Sequence, residues 1–375
     1  MNKYKIKKKL YDSNVAIVSF FTALPSWHGA ADLTSLMFKY FPAKSKRLFQ
    51  FTDFKNNTSK FKKVTNINIF INFPIAKIFF IIFLIYKLKK YLLNKKKRIV
   101  VIEGASWTFF SYIVIKYLKK YFKDIKIIYH SHNVDYEVRK LKNSNFILYF
   151  TKYFEKKILE ISDFSTAVSK TDQLLFRKIY NIKTLILENG IDKINLNNYN
   201  SKLKLPKNYI FFPGSYTYYP NKLAIDEIIN FHLKNLNKKF PNYYFIFSGE
   251  GLPENYQKIK NVKYFGIMNK KDYYYVLKNS KFVFMPLKNA PGTKIKTLES
   301  LVMKKIILGT KFAFKGIKIN RDKSIVIYKN KNEVIEKISY IIKNYKKIKN
   351  NNLKNLKKHY FENIIINFAK KYLYE

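Results

Sequence analysis

The chain has 375 residues. At roughly 150 residues per domain, that length implies two or three domains. It is 47% hydrophobic, enough to bury real cores, which excludes a wholly disordered protein despite 73 basic against 24 acidic side chains. No cysteine is present, which excludes disulfides, thiolate catalysis and cysteine-based metal sites.

The N-terminus is basic through Lys9, then apolar over residues 15–24, then Gly29-Ala30-Ala31, an order that resembles a signal peptide. Asp12, Ser13 and Asn14 interrupt the pattern and suit a strand entry, so residues 15–21 read as the first buried strand of a cytoplasmic chain. Residues 31–40 read as a helix. Residues 74–93 mix Ile, Phe and Leu with Lys77, Lys87, Lys89 and Lys90. Such a helix can lie on an anionic membrane or turn its apolar face into a core. Its longest pure apolar run, 78–86, is too short to cross a bilayer, which needs about 20 residues.

Residues 98–103 are a buried-strand run ending at Gly104, and 109–122 a helix. Residues 125–129 form a strand that ends at His130-Ser131-His132-Asn133. A helix over 146–161 and strands over 164–168 and 184–187 follow, the last ending in Glu188-Asn189-Gly190. Residues 193–208, rich in Asn and Lys, read as a linker or surface loop. The second half repeats the alternation: strands over 209–212, 243–247, 261–265, 281–285 and 305–308, with helices over 223–236, 272–279 and 296–302. Helices over 332–344 and 361–374 close the chain. Strand–helix alternation implies parallel sheets covered by helices on both faces. The expected architecture is α/β, with two doubly wound domains facing each other across a cleft. Ligands in such sheets bind beyond the carboxyl ends of the strands.

The net charge of +49 suggests a nucleic-acid or anionic-membrane partner. Only five of the 73 basic residues are Arg, the side chain suited to bidentate reading of bases and phosphates. The abundant Lys, Asn, Ile, Phe and Tyr all have A/T-rich codons, so composition bias is a competing explanation. A non-enzymatic basic protein that binds nucleic acid or membrane is the rival from another class.

The richest segment is 289–300, NAPGTKIKTLES, which follows a strand and opens a helix. A Gly-Thr turn there exposes backbone N–H groups to an anion, with Lys294 and Lys296 beside it. Glu299, one turn inside, can accept hydrogen bonds from a ribose diol. The bland alternative is an ordinary helix start.

The segment GTKIKTLESLVMKKIILGT resembles the nucleotide-sugar signature of retaining glycosyltransferases of family 4, which have the GT-B fold. HSHNVDYEVRK, FEKKILEISDFSTAVSKTD, LENGID and FPGSYTYYPNKLAID resemble further pieces of that family in the right order, over about residues 98–320. The resemblance implies Glu299 on the donor ribose, and Lys294 and Lys296 near the diphosphate. It puts Gly292 and Thr293 in the loop whose amides face the donor, and Gly214 after the first strand of the nucleotide domain. It places His132 on the donor-sugar side of the cleft and Gly29 in the first strand–helix loop. Pro291 stands where many members carry a second Glu. Ser215 stands where many carry Arg, and Lys222 roughly matches a family Lys. Phosphate binding is therefore expected from Lys294, Lys296 and Lys222.

The implied domains are 1–190 on the acceptor side, 191–357 for the nucleotide sugar, and 358–375 as a helix crossing back to the first. The implied activity is retaining transfer from a nucleotide-sugar donor to a glycan or lipid-linked acceptor, in surface polysaccharide or glycolipid synthesis. The place would be the cytoplasm, on the inner face of the membrane. No Asp-x-Asp motif occurs, and no metal or other cofactor is expected. The same fold with altered chemistry, such as an epimerase, remains open.

Alternate strand positions point to opposite faces, so one of His130 and His132 is expected in the cleft, namely His132. His28 is a cleft-loop or surface residue. His232 and His359 are expected at the surface. Glu103 either meets the acceptor or caps a turn.

Overall fold

The computed structural model describes residues 12–26, 29–52, 61–68, 75–104, 107–140, 144–194, 199–288, 294–317, 324–349 and 356–374. The chain divides into two units, Met1–Asp192 with Tyr360–Glu375, and Lys193–His359.

The first unit runs β1 (Asn14–Ser19), α1 (Gly29–Tyr40), β2 (Ser45–Thr52), β3 (Val64–Asn68), α2 (Ile75–Leu92), β4 (Arg98–Gly104), α3 (Thr108–Tyr121), β5 (Lys126–Ser131), α4 (Asp135–Arg139), α5 (Asn145–Ile161), β6 (Phe164–Ala167), α6 (Lys170–Tyr180) and β7 (Leu185–Ile186). Its seven strands are all parallel, in the order β3-β2-β1-β4-β5-β6-β7. β1 is buried along its whole length, the pattern of a central parallel strand covered on both sides. Its alternate side chains feed two cores. Ala16 and Val18 join Leu84 of α2, Val114 of α3, Ile158 of α5 and Phe176 of α6. Val15 and Ile17 meet Leu36 and Met37 of α1.

The second unit runs β8 (Tyr209–Pro213), α7 (Tyr219–Glu227), a π-helical stretch (Ile228–His232), α8 (Leu233–Lys239), β9 (Tyr244–Ser248), α9 (Glu254–Gln257), β10 (Val262–Tyr264), α10 (Lys270–Asn279), β11 (Phe282–Met285), α11 (Ile295–Val302), β12 (Ile306–Gly309), β13 (Ile325–Ile327), α12 (Val334–Lys343) and α13 (Tyr345–Lys349). Its six parallel strands are ordered β10-β9-β8-β11-β12-β13.

The chain then returns. α14 (Phe361–Tyr372) places Phe361, Ile365 and Phe368 in the core under α1, and the Phe361 N–H donates to the Ile191 carbonyl at 2.9 Å.

Two strands of the first unit fall where the sequence reading assigned none. β2 carries Lys46, Arg47 and Gln50, which hide its character. Gln50 is fully buried yet satisfied: its Oε1 accepts from the Ala23 and Leu24 N–H groups at 2.9 Å each, and its Nε2 donates to the Leu24 carbonyl at 2.8 Å. A polar side chain inside this strand thus holds the loop after β1. α6, also unassigned, starts at Ser169, whose Oγ accepts from the Asp172 N–H, and stops at Asn181 with φ +58°. The helix expected over 223–236 contains the π-helical stretch. His232 within it is buried, not at the surface as expected, with Nε2 3.1 Å from Glu227 Oε1.

Candidate functional site

In a doubly wound sheet the crevice opens where the strand order reverses. In the first unit that point lies between β1 and β4, and in the second between β8 and β11. Of the residues singled out from sequence, Gly29, Glu103 and His132 belong to the first unit, and Gly214, Lys222, Lys294, Lys296 and Glu299 to the second.

In the first unit, parallel register sets Glu103 beside Ser19 on one strand and beside His130 on the other. Glu103 is fully buried. Its Oε2 lies 3.1 Å from His130 Nδ1, 2.5 Å from His132 Nε2 and 3.2 Å from Thr34 Oγ1 on α1. Burial pushes the Glu103 carboxyl up, but the two imidazoles together outweigh it and hold the group at about 2. At neutral pH Glu103 is therefore an acceptor only, so His130 and His132 both turn a ring N–H toward it.

Strand alternation, the ground for expecting His132 in the cleft, does not by itself separate the two histidines. The strand ends at Ser131, and His132 lies past it, so strand alternation no longer applies. Both rings are buried on the same carboxylate. Glu103 caps no turn; it is the hub of the cluster. Three atoms at this hub are buried and have no hydrogen-bond partner: Glu103 Oε1, His130 Nε2 and His132 Nδ1. Buried polar atoms are satisfied in the great majority of cases, so three orphans together call for a polar partner, an ordered water or a polar ligand.

The two imidazoles and the carboxylate converge within 4.8 Å, a spacing that a transition metal can fill. A metal-bound imidazole normally donates its other N–H to a carboxylate or carbonyl. Here those nitrogens have no acceptor, so the donor set fits shared hydrogen bonds better than a metal.

A second buried carboxylate fixes the segment after His132. Glu155 of α5 accepts from the Asp135 N–H at 2.8 Å, the Tyr136 N–H at 3.1 Å and the Tyr180 hydroxyl, thereby capping α4. Burial and then the Asp135 charge raise its carboxyl to about 8. Gly29 is the exposed first residue of α1. His28 lies outside the described residues.

In the second unit, Gly214 ends the run of β8, and its N–H donates to the Ser248 carbonyl at 2.9 Å. The loop 248–251 after β9 packs on it. A Cβ on Gly249 would lie 2.5 Å from the Ser215 nitrogen, and its φ is +117°. Only glycine lets the two loops approach this closely. Gly249→Ala is expected to cost about 1–3 kcal/mol and to lower the second unit's melting temperature. An unchanged melting curve would show that the loops are free to part.

Glu299 lies on α11 and is buried. Its Oε2 accepts from the Tyr273 hydroxyl at 2.9 Å and its Oε1 from the Tyr274 hydroxyl at 3.0 Å. Lys296 Nζ is 3.0 Å from Oε2 and 4.3 Å from the centre of the Tyr273 ring. A carboxylate offers about four acceptor positions, and three are in use. Lys294 occupies the N-cap position of α11. Gly292 and Thr293, with Pro291, lie outside the described residues.

Lys222 on α7 is half-buried and pairs with Asp226 Oδ2 at 2.7 Å; that hydrogen bond raises its amine above the usual lysine range. The structure therefore groups Lys294, Lys296 and Glu299 on one helix start, and ties Lys222 to its own helix. Tyr273, Tyr274 and Thr34 were not found by sequence reasoning. Their partners lie 26, 25 and 69 residues away, and no local pattern signals them.

No protein-family model matches the sequence, and comparison with curated proteins finds no match. Solved structures match along almost the whole chain. Sucrose-phosphate synthase from Thermosynechococcus elongatus has a TM-score of 0.72 at 12% identity, covering 96% of this chain and 98% of its own. Anabaena HepE in complex with UDP and glucose has a TM-score of 0.71 at 14% identity, covering 95% and 98%. A glycosyltransferase from Rickettsia africae has a TM-score of 0.67 at 16% identity, covering 96% and 98%. These likenesses show the fold. It is GT-B, two parallel-sheet Rossmann-like domains.

Proposed function

We propose that this chain is a nucleotide-sugar-dependent glycosyltransferase that transfers with retention to a glycan or lipid-linked acceptor. We place it in surface polysaccharide or glycolipid synthesis at the cytoplasmic face of a membrane. The observation that carries the reading is the pair of switch points. One holds three buried, unpartnered polar atoms on Glu103, His130 and His132. The other holds a buried carboxylate, Glu299, beside lysines at a helix start. The first suits a polyol such as a sugar, and the second a nucleoside diphosphate. The Anabaena neighbour was solved with UDP and glucose, and also with UDP-glucose.

In this reading the ribose hydroxyls take the place of Lys296 on Glu299, next to the one free acceptor position. Lys296 then turns to the diphosphate with Lys294, supported by the amides of Gly292 and Thr293, while Gly214, its own N–H held by the Ser248 carbonyl, keeps the loop after β8 in place. Lys222 joins them by exchanging Asp226 for phosphate. Gly29 lets the backbone at the start of α1 approach the sugar and phosphates. His132 faces the donor sugar, oriented by Glu103. The bond from the anomeric carbon to the diphosphate oxygen breaks, and its electron pair stays on the diphosphate. The acceptor hydroxyl bonds to the same face of that carbon and gives its proton to a diphosphate oxygen. Cationic side chains and helix-start amides do the work of a metal on the leaving group.

The test is a thermal-shift screen with UDP, GDP, ADP and their sugar conjugates. A ligand at about a hundred times its Kd adds about 2.7 kcal/mol to the state it binds. A shift of several degrees with one nucleotide family is expected. No shift with any, together with tight and steeply salt-dependent DNA binding, would overturn the reading in favour of a basic nucleic-acid-binding protein.

A further inference from the structure

Three helices over one face of the first sheet, α2, α3 and α5, carry exposed apolar side chains on their outer sides as well as buried ones on their inner sides. α2 buries Phe80, Leu84 and Leu88 against the sheet. On its other side it exposes Ile78, Phe79, Ile82, Phe83 and Tyr86, at helical spacing. A surface helix of a soluble protein is ordinarily polar there. α5, two helices along, exposes Phe146, Tyr149, Phe150 and Tyr153. α3 lies between them and touches both. Of the 21 large apolar side chains exposed among the described residues, 13 sit on these three helices and the turn after α2. A patch of this kind marks an interaction surface.

A cavity of about 310 Å³ opens in the same layer. Its walls include Trp107, Phe150 and Phe154, and Lys77 and Arg139 also line it. The Lys77 amine lies 4.6 Å from the centre of the Trp107 ring. Burial, and then the Arg139 charge, lower the Lys77 amine below the usual range, so two cations share a half-dry site. The volume is at the low end for small-molecule pockets, about 300–1,000 Å³. It admits a hydrocarbon segment and not an oligosaccharide. The cavity sits at the start of α3, just past the end of β4, on the strand-end side where Glu103 lies.

We propose that this layer is a docking surface for an anionic lipid bilayer, and that the cavity takes the chain of one anionic lipid with its phosphate against Lys77 and Arg139. Charge complementarity selects this occupant. α2 and α3 carry no acidic residue, while Lys87, Lys89 and Lys90 end the first and Lys116, Lys119 and Lys120 the second. A second copy of the chain would bring the same lysines against these. Exposed aromatics that enter the headgroup zone, ringed by lysines, are what an interfacial helix layer needs. No described helix is long and apolar enough to cross a membrane, so the contact is parallel to the surface. The inference deepens the acceptor side of the transferase reading, and its readout is lipid binding alone.

The test uses the full chain with Trp27→Phe, which leaves Trp107 as the single tryptophan. Farnesyl phosphate is titrated against Trp107 emission, with farnesol and inorganic phosphate as separate arms. A saturable change with farnesyl phosphate, at least about tenfold weaker with farnesol and absent with phosphate, is expected. Equal response to farnesol overturns headgroup recognition, and a response to phosphate alone overturns the lipid. In parallel, sedimentation with phosphatidylcholine vesicles, with and without phosphatidylglycerol, compares wild type with the double variant Phe146→Ser, Phe150→Ser. Both side chains are exposed, so the fold is expected to survive, checked by circular dichroism. Binding only to the anionic vesicles, weakened at least about tenfold in the double variant, supports the surface. Binding unaffected by the double variant overturns it, because bulk positive charge then suffices. Tyr340→Ser, an exposed aromatic of the second unit, is the control and is expected to bind like wild type. Loss of donor-induced thermal shift with lipid binding intact would fault the transferase reading and leave this one standing.

Discussion

Glu103→Ala is expected to destabilise the first unit by about 3–5 kcal/mol, the cost of removing one partner from a buried charged cluster. The carboxylate is the common acceptor of His130, His132 and Thr34, and all three lie in places that water does not reach. A second route gives a similar figure. The carboxyl is held at about 2 against an ordinary value of 4.5, and that difference is equivalent to about 3 kcal/mol. The sign follows from proton counting. A lowered folded value means that the folded state binds fewer protons, so the stabilisation is present above about pH 4.5 and is lost as pH falls through about 2. Glu103→Gln is expected to be less stable than wild type at neutral pH, with the gap closing as acid is added. Urea melts followed by tryptophan emission check this, since both tryptophans belong to the first unit. A Glu103→Ala chain as stable as wild type at neutral pH would overturn the account.

Glu299→Gln is expected to weaken donor binding by about 10²–10⁴-fold, the worth of two charge-assisted hydrogen bonds at about 1.5–3 kcal/mol each. The amide keeps one oxygen to accept from a tyrosine and turns an NH₂ toward the other. The structural cost is then about 1–3 kcal/mol, and the chain stays folded at room temperature. Calorimetric titration with the nucleotide identified by thermal shift measures the loss. Donor affinity equal to wild type would remove Glu299 from the ribose and leave it as the anchor of Tyr273 and Tyr274.

Much of the fold could be read directly from the chain. Central parallel strands such as 98–104 and 209–213 are continuous apolar runs, and burial on both faces makes them so. β2 was hidden because its polar members are satisfied by tertiary partners, Gln50 by the loop after β1 and Arg47 by Thr65. The site was legible as residue types but not as a network. His130 and His132 are 27 and 29 residues from Glu103, and only the pairing of β4 with β5 makes them neighbours. The same holds for Glu299. Its place at the start of a helix is a local signal, whereas its two tyrosine partners come from a different helix. A sequence offers Glu299 as an open carboxylate; packing shows that most of its acceptor positions are occupied.

The return of α14 sets an order on the making of the protein. Residues 193–359 are one continuous stretch and hold every strand of their own sheet. The first unit, although begun earlier, lacks the helix that fills its core under α1 until residues 361–372 have left the ribosome. Domains ordinarily fold N-terminal first during synthesis. Here the nascent N-terminal part waits with Val15, Ile17, Leu36 and Met37 incompletely covered while the later part closes. Residues 1–192 expressed alone are therefore expected to aggregate, and a separately supplied 360–375 peptide to raise the soluble fraction measured after centrifugation.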